Sequence, residues 1–154
     1  MPRSTSTKEP PEPVFWVDEN LGSPQFISSL RVGGLQVTAG GFPEGTDDVV
    51  WLPAIAQKGW IAITKDQLKE DLEEQVALVL HGAKVFVLIG DASHLELAAL
   101  FLRKIKWVRK QIASRDEAFL GKIYVNSGET KVVTLIDLCS RSSRRWGRSL
   151  KKHT

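Results

Sequence analysis

The stretch VFWVDENLGSP, residues 14–24, decides how the rest of the chain is read. Val14 to Val17 are apolar or aromatic without alternation, the pattern of a strand buried on both faces. Asp18 and Glu19 follow at once, and Ser23 and Pro24 then supply an N-cap and a first helical residue. Desolvating a carboxylate is costly, so either the strand ends in solvent at Asp18 or something cationic is held there. Phe26, Ile27 and Leu30 give the next segment an apolar helical face, and Gly33 and Gly34 stop it. A buried strand handing over to an amphipathic helix opens a parallel crossover.

The same alternation continues. Leu35 to Thr38 read as a second strand, and AGGFPEGTD, residues 39–47, reads as a loop rich in Gly and Pro. From Asp48 a helix carries Trp51, Leu52 and Ile55 and closes at Lys58 and Gly59. WIAIT, residues 60–64, is the third strand. Leu68, Leu72, Val76, Val79 and Leu80 then recur at helical spacing, predicting an amphipathic helix over 67–81 with Glu70, Asp71, Glu73 and Glu74 on its acidic face. KVFVLI, residues 84–89, is the fourth strand. Leu95, Ala98, Phe101, Leu102, Ile105 and Val108 mark one long helix with Arg103, Lys104, Lys106, Arg109 and Lys110 on or beside its polar side. Residues 122–137 give two strand-like runs around NSGET, a hairpin or a pair of late edge strands. The pattern predicts an α/β fold, a three-layer sandwich with a mainly parallel central sheet.

Length allows one substantial core in the 154 residues. Residues 1–13, with Pro10, Pro11 and Pro13, read as an extended or disordered segment, 14–137 as the domain, and 138–154 as a basic tail. The single cysteine, Cys139, excludes an intrachain disulfide, and no Cys and His spacing fits a structural zinc site. The expectation is a soluble cytoplasmic protein, because no window is apolar enough for a membrane span or a secretory leader. The net charge of +3 hides a division: residues 14–100 carry 12 Asp or Glu against 5 Lys or Arg, whereas 101–154 carry 4 against 14. An acidic half beside a basic half suits a carboxylate site next to a landing surface for an anionic polymer, although the halves could equally neutralise each other or dock a protein.

The carboxylates are placed by topology. In an open parallel sheet the C-terminal strand ends share one edge, where a ligand crevice forms. Asp18 follows the first strand and Asp66 the third, and Asp48 opens the helix that leads into the third, so all three reach that edge. Three carboxylates without balancing His or Cys favour Mg²⁺ or Mn²⁺ over zinc. Such a cation activates water and stabilises charge on a phosphodiester, so no covalent nucleophile is needed. Ser23, Ser28, Ser29 and His94 form no recognisable triad.

Other residues have competing readings. Asp48 equally suits an N-cap, a role Asp47 could take instead. Glu19 points the other way along a strand period and serves as a supporting or substrate-side carboxylate. Asp91 follows the fourth strand and either joins the metal site or caps a helix. Arg31, Thr64 and Lys65 fall within reach of the acidic edge, with Thr64 offering a hydroxyl and Lys65 a partner for carboxylate or phosphate. Trp51 and Trp60 read as core aromatics. Trp146, beside Arg144 and Arg145, is the aromatic that invites nucleic-acid contact, together with Arg103 and Lys106 on the long helix.

The run FWVDENL, LRVGGL, FPEGTDDVVWLPAIAQKGWIAITKD and VFVL, within roughly residues 14–110, resembles the PIN-like families related to the nuclease toxins of bacterial toxin–antitoxin pairs, in the branch that opens with Asp-Glu-Asn-Leu. The resemblance implies a metal-dependent ribonuclease with Asp18, Asp48 and Asp66 as its catalytic acids, Mg²⁺ or Mn²⁺ as cofactor, RNA as substrate and a cognate antitoxin covering the site. The better-known toxins carry a further helical glutamate between the first two of these acids, whereas residues 20–43 here contain no Asp or Glu. Glu19 or Glu44 compensates, or the pocket holds one metal. The basic tail suits RNA, an antitoxin, or a homodimer contact. Two rivals stand beside the nuclease. One is a phosphoacceptor receiver domain, disfavoured because Asp48 begins a helix instead of ending a strand. The other is a catalytically inactive module that binds nucleic acid or protein.

Overall fold

The computed structural model describes residues 12–42, 48–65 and 82–134. The predicted helix over 67–81, most of the N-terminal segment and the basic tail lie outside the described residues. In chain order the elements are β1 (Val14–Val17), α1 (Pro24–Val32), β2 (Gln36–Ala39), α2 (Asp48–Gln57), β3 (Ile61–Thr64), β4 (Lys84–Ile89), α3 (His94–Arg103), α4 (Ile105–Ser114), β5 (Phe119–Tyr124) and β6 (Thr130–Thr134). The strands form one sheet in the order β2-β1-β3-β4-β5-β6. The first four pairings are parallel and only β5 with β6 is antiparallel. This is the mainly parallel α/β architecture that the strand and helix alternation predicts.

Local chemistry accounts for the helix starts. The Ser23 hydroxyl accepts from Phe26 N–H at 3.2 Å with Pro24 at the first helical position, so α1 begins where its orphan donors are satisfied. Ser93 does the same for α3, accepting from Glu96 N–H at 3.1 Å while donating to the Glu96 carboxylate at 3.0 Å.

Alternation along the strands divides the core into two layers. Phe15, Val17, Ile63, Phe86, Leu88 and Phe119 face α1, α3 and α4 and meet Phe26, Leu30, Leu97 and Phe101. Trp16, Ala62, Val85, Val87 and Leu120 face the other way, onto Trp51, Leu52 and Ile55 of α2. Successive residues of β1 thus enter different cores, which is why this strand shows no polar alternation.

Two predicted elements take a different form. The long helix expected through Val108 breaks at Lys104 (φ −96°, ψ 8°), and its second half, α4, runs on to Ser114. The break lets Trp107 pack edge-on to Phe86, at 5.9 Å, while Leu102 closes against Gly33. Helical periodicity is nearly the same on either side of such a bend and does not report it. The hairpin forms around residues 125–129, with Gly128 N–H donating to the Tyr124 carbonyl at 2.8 Å. Its first strand begins earlier than the predicted residue 122, at Phe119, and is interior, pairing β4 along six residues. Buried Phe119, Leu120 and Ile123 make it a core strand, and β6 alone is the edge at that side.

Candidate functional site

The strand order reverses at β1: the chain goes from β1 outward to β2, then returns to place β3 on the opposite side of β1. Crossovers on opposite sides leave a crevice outside the carboxyl ends of β1 and β3, the switch point where open α/β sheets take ligands. Asp18 is the first residue beyond β1, and Thr64 is the last residue of β3.

Both are buried, Thr64 at 0% and Asp18 at 7% exposure. The Asp18 backbone continues the pairing past the end of β1, donating its N–H to the Ile63 carbonyl at 3.1 Å. Its side chain caps the short 3-10 turn Glu19–Leu21, with Oδ1 accepting from Glu19 N–H at 2.7 Å. Oδ2 accepts from the Thr64 hydroxyl at 2.8 Å, a bond that spans the switch point and joins residues 46 apart in the chain. The carboxylate is therefore held at both oxygens, by the turn that follows β1 and by the end of β3, which offsets part of the cost of keeping it out of water. A carboxylate offers about four lone-pair sites, so these bonds are compatible with ligating a cation.

Beside Asp18 lies a cleft of about 370 Å³. One side is acidic and polar, formed by Asp18, exposed Glu19 and Gly22; the other is aromatic, formed by Trp16, Trp51 and Phe42, with Ala39 and Gly40 at the end of β2. The Trp16 ring lies 4.9 Å from that of Trp51 and 5.8 Å from that of Phe42, the latter edge-on. Trp16 Nε1–H donates to the Gly40 carbonyl at 2.9 Å, which ties this wall to the loop after β2.

The remaining sequence candidates fall in different places. Asp48 opens α2, one turn before cleft-lining Trp51. Lys65 follows Thr64 directly and is half-buried. Asp91 is exposed beyond the end of β4, one strand further from β1 than Thr64. Arg31 sits in the last turn of α1, toward the opposite end of the strands, and its guanidinium donates to the Val37 carbonyl at 2.8 Å. The structure thus does not bring it to Asp18. Arg103 and Lys106 are exposed, on α3 and α4 respectively. Asp47, Asp66, Arg144, Arg145 and Trp146 lie outside the described residues. Among the described residues no three His, Cys, Asp or Glu side chains group closely enough to hold a metal ion, and Asp18 is the one of the three aspartates whose side chain is described.

Sequence reasoning did not single out Trp16, Gly40 or Phe42, and it read Trp51 as core. Trp51 is indeed 2% exposed, yet it also forms part of the cleft wall. The signal was the pairing of β1 with β2, which sets Trp16 opposite Thr38 and close to the glycines that follow. Ser23 and His94, which the sequence assigns to no triad, approach to 2.6 Å between Oγ and Nδ1. Because the Ser23 hydroxyl also caps α1, the pair fastens the start of α3 to the start of α1.

This sheet, with an acidic residue fixed at its switch point, defines the class of the protein. Residues 13–90, just over half of the chain, match the family described as PIN like domain, and the chain belongs to that family. No curated protein and no solved structure matches it. The family is one of nuclease-type domains that generally use divalent metal ions. The donors described at the switch point are all oxygens, the Asp18 carboxylate, the Thr64 hydroxyl and the Glu19 carboxylate on the rim, a set that fits a hard cation. No helix among the described residues is long and apolar enough to cross a membrane.

Proposed function

We propose that the chain is a cytoplasmic, Mg²⁺- or Mn²⁺-dependent endoribonuclease and the toxin of a toxin–antitoxin pair. The observation that supports this most is the Asp18 carboxylate, 7% exposed, anchored by Thr64 across the switch point of a PIN-like sheet and opening onto a cleft. In this reading Asp18, Asp48 and Asp66 hold the cation, Asp91, Glu19 and Asp47 support it, and Thr64 orients Asp18. When bound, the cation reverses the local negative sign, lowers the pKa of a bound water and stabilises charge on the phosphodiester oxygens. Lys65 meets a phosphate beside the site, and Arg103, Lys106 and the tail residues Arg144, Arg145 and Trp146 meet the RNA backbone and bases. The antitoxin covers the crevice, and a homodimer contact is the alternative use of the tail.

One observation favours a second reading, a catalytically inactive module that binds nucleic acid or protein. Residues 20–43 contain no acidic residue to extend the metal site along α1. Cleavage assays with metal or chelator separate the two: the nuclease cleaves RNA only with Mg²⁺ or Mn²⁺, whereas the binding module shows salt-sensitive affinity that is indifferent to chelator.

A further inference from the structure

We propose that the cleft beside Asp18 is a subsite for one unpaired nucleobase of the RNA, with Phe42 as its stacking partner. This rests on the nuclease reading and adds to it a recognition element.

Three observations carry the inference. The wall is aromatic and braced: Trp16 and Trp51 are 3% and 2% exposed, and half-buried Phe42 packs edge-on to Trp16. Trp16 has its indole N–H engaged by Gly40, so that ring is fixed in position. The charged side chains on the described rim are Asp18 and Glu19, both acidic. A free anion is repelled by such a rim, whereas a neutral, flat heterocycle offering N–H donors is matched by it, since carboxylates accept from the exocyclic amines of bases. Finally, the volume of about 370 Å³ lies at the small end of ligand clefts and suits a single nucleotide, and Gly40, which lines the cleft, has no side chain to project into it. Because Asp18 belongs to both the cleft and the switch point, a base seated here lies beside the carboxylate that the nuclease reading assigns to the cation. Recognition of this kind requires a base out of its stack, which predicts a preference for single-stranded over paired RNA.

The test is anisotropy of a labelled short single-stranded RNA, with chelator and in parallel with Ca²⁺ in place of Mg²⁺. The intact RNA is compared with a set in which one base is removed at each position in turn. For the full chain, one abasic position lowers affinity by about tenfold, the scale of a single base–aromatic stack. Phe42→Ala lowers affinity for the intact RNA by a similar factor and abolishes the abasic penalty, whereas Phe42→Trp retains both. Unfolding curves for the two variants establish that they are folded. Equal affinity of the full chain for intact and abasic RNA, including no binding of either, overturns the proposal, as does a penalty that persists in Phe42→Ala. The two readings fail separately: an abasic penalty without metal-dependent cleavage removes the nuclease and keeps the subsite, and cleavage without a penalty does the reverse.

Discussion

Replacing Thr64 with valine keeps the shape of a β-branched side chain and removes the hydroxyl that donates to Asp18 Oδ2. The bond is 2.8 Å long and joins groups that are 0% and 7% exposed, so water does not readily substitute for it. A hydrogen bond to a charged group is worth about 1.5–3 kcal/mol. For a chain of this length each kcal/mol moves Tm by about 2–4 °C, so Thr64→Val should lower it by roughly 3–12 °C. Thr64→Ser is the control, since it retains the hydroxyl and loses one methyl, at a cost of about 1 kcal/mol. Thermal and urea unfolding followed by tryptophan fluorescence measure both variants, with Trp16 and Trp51 beside the site as reporters. Combining Thr64→Val with Asp18→Asn isolates the pair, and the cost of Thr64→Val should shrink once its partner no longer carries charge. If Thr64→Val costs no more than Thr64→Ser, or the same with and without the Asp18 charge, the hydroxyl does not hold the carboxylate and the reasoning fails.

Further expectations follow from packing and charge. A Cβ on Gly121 would lie 2.6 Å from Phe86 Cδ1, in a cluster where Phe101, Trp107 and Phe119 surround that ring, so Gly121→Ala should destabilise by about 1–3 kcal/mol. Gly33→Ala should cost less in the same denaturant titration, because its Cβ meets the end of the half-buried Leu102 side chain, which can change rotamer. Ending the chain at Asp137 removes six Lys or Arg, and the slope of log affinity for single-stranded RNA against log salt should flatten by about 0.7 for each phosphate that the tail neutralises. An unchanged slope would take the tail out of RNA binding.

Much of this architecture is legible one residue at a time. β1 and β4 occupy the stretches that apolar runs predict, 14–17 and 84–89, β2 is shifted by one residue, and β3 starts one residue later than predicted. β1, β3 and β4 are buried on both faces, so hydrophobicity alone marks them. Ser23 and Pro24 announce α1 because capping is chemistry local to the chain. The meeting of Asp18 with Thr64 is legible too, since topology brings the carboxyl ends of parallel strands to one edge. What escapes is tertiary. The turn at Lys104 answers to the packing of Leu102 and Trp107 on distant glycines. Arg31 lies on the same crossover as Asp18 but at its far end, and only the length of α1 reveals that. The aromatic wall needs Trp16 of β1, Phe42 of the loop after β2 and Trp51 of α2, and no spacing in the sequence encodes their contact.

In the proposed nuclease, Asp18, Asp48 and Asp66 hold one metal site that cleaves RNA. Asp to Asn removes charge while keeping shape and much of the hydrogen bonding, so the direct measurement is cleavage of single-stranded and structured RNA by the full chain and by D18N, D48N and D66N, with Mn²⁺, Mg²⁺ or chelator. The account predicts cleavage that requires the divalent ion, falls sharply with each substitution, and falls little further when the substitutions are combined, as for residues acting as a unit. Cleavage that proceeds in chelator, or metal-dependent cleavage that survives all three substitutions together, would contradict it.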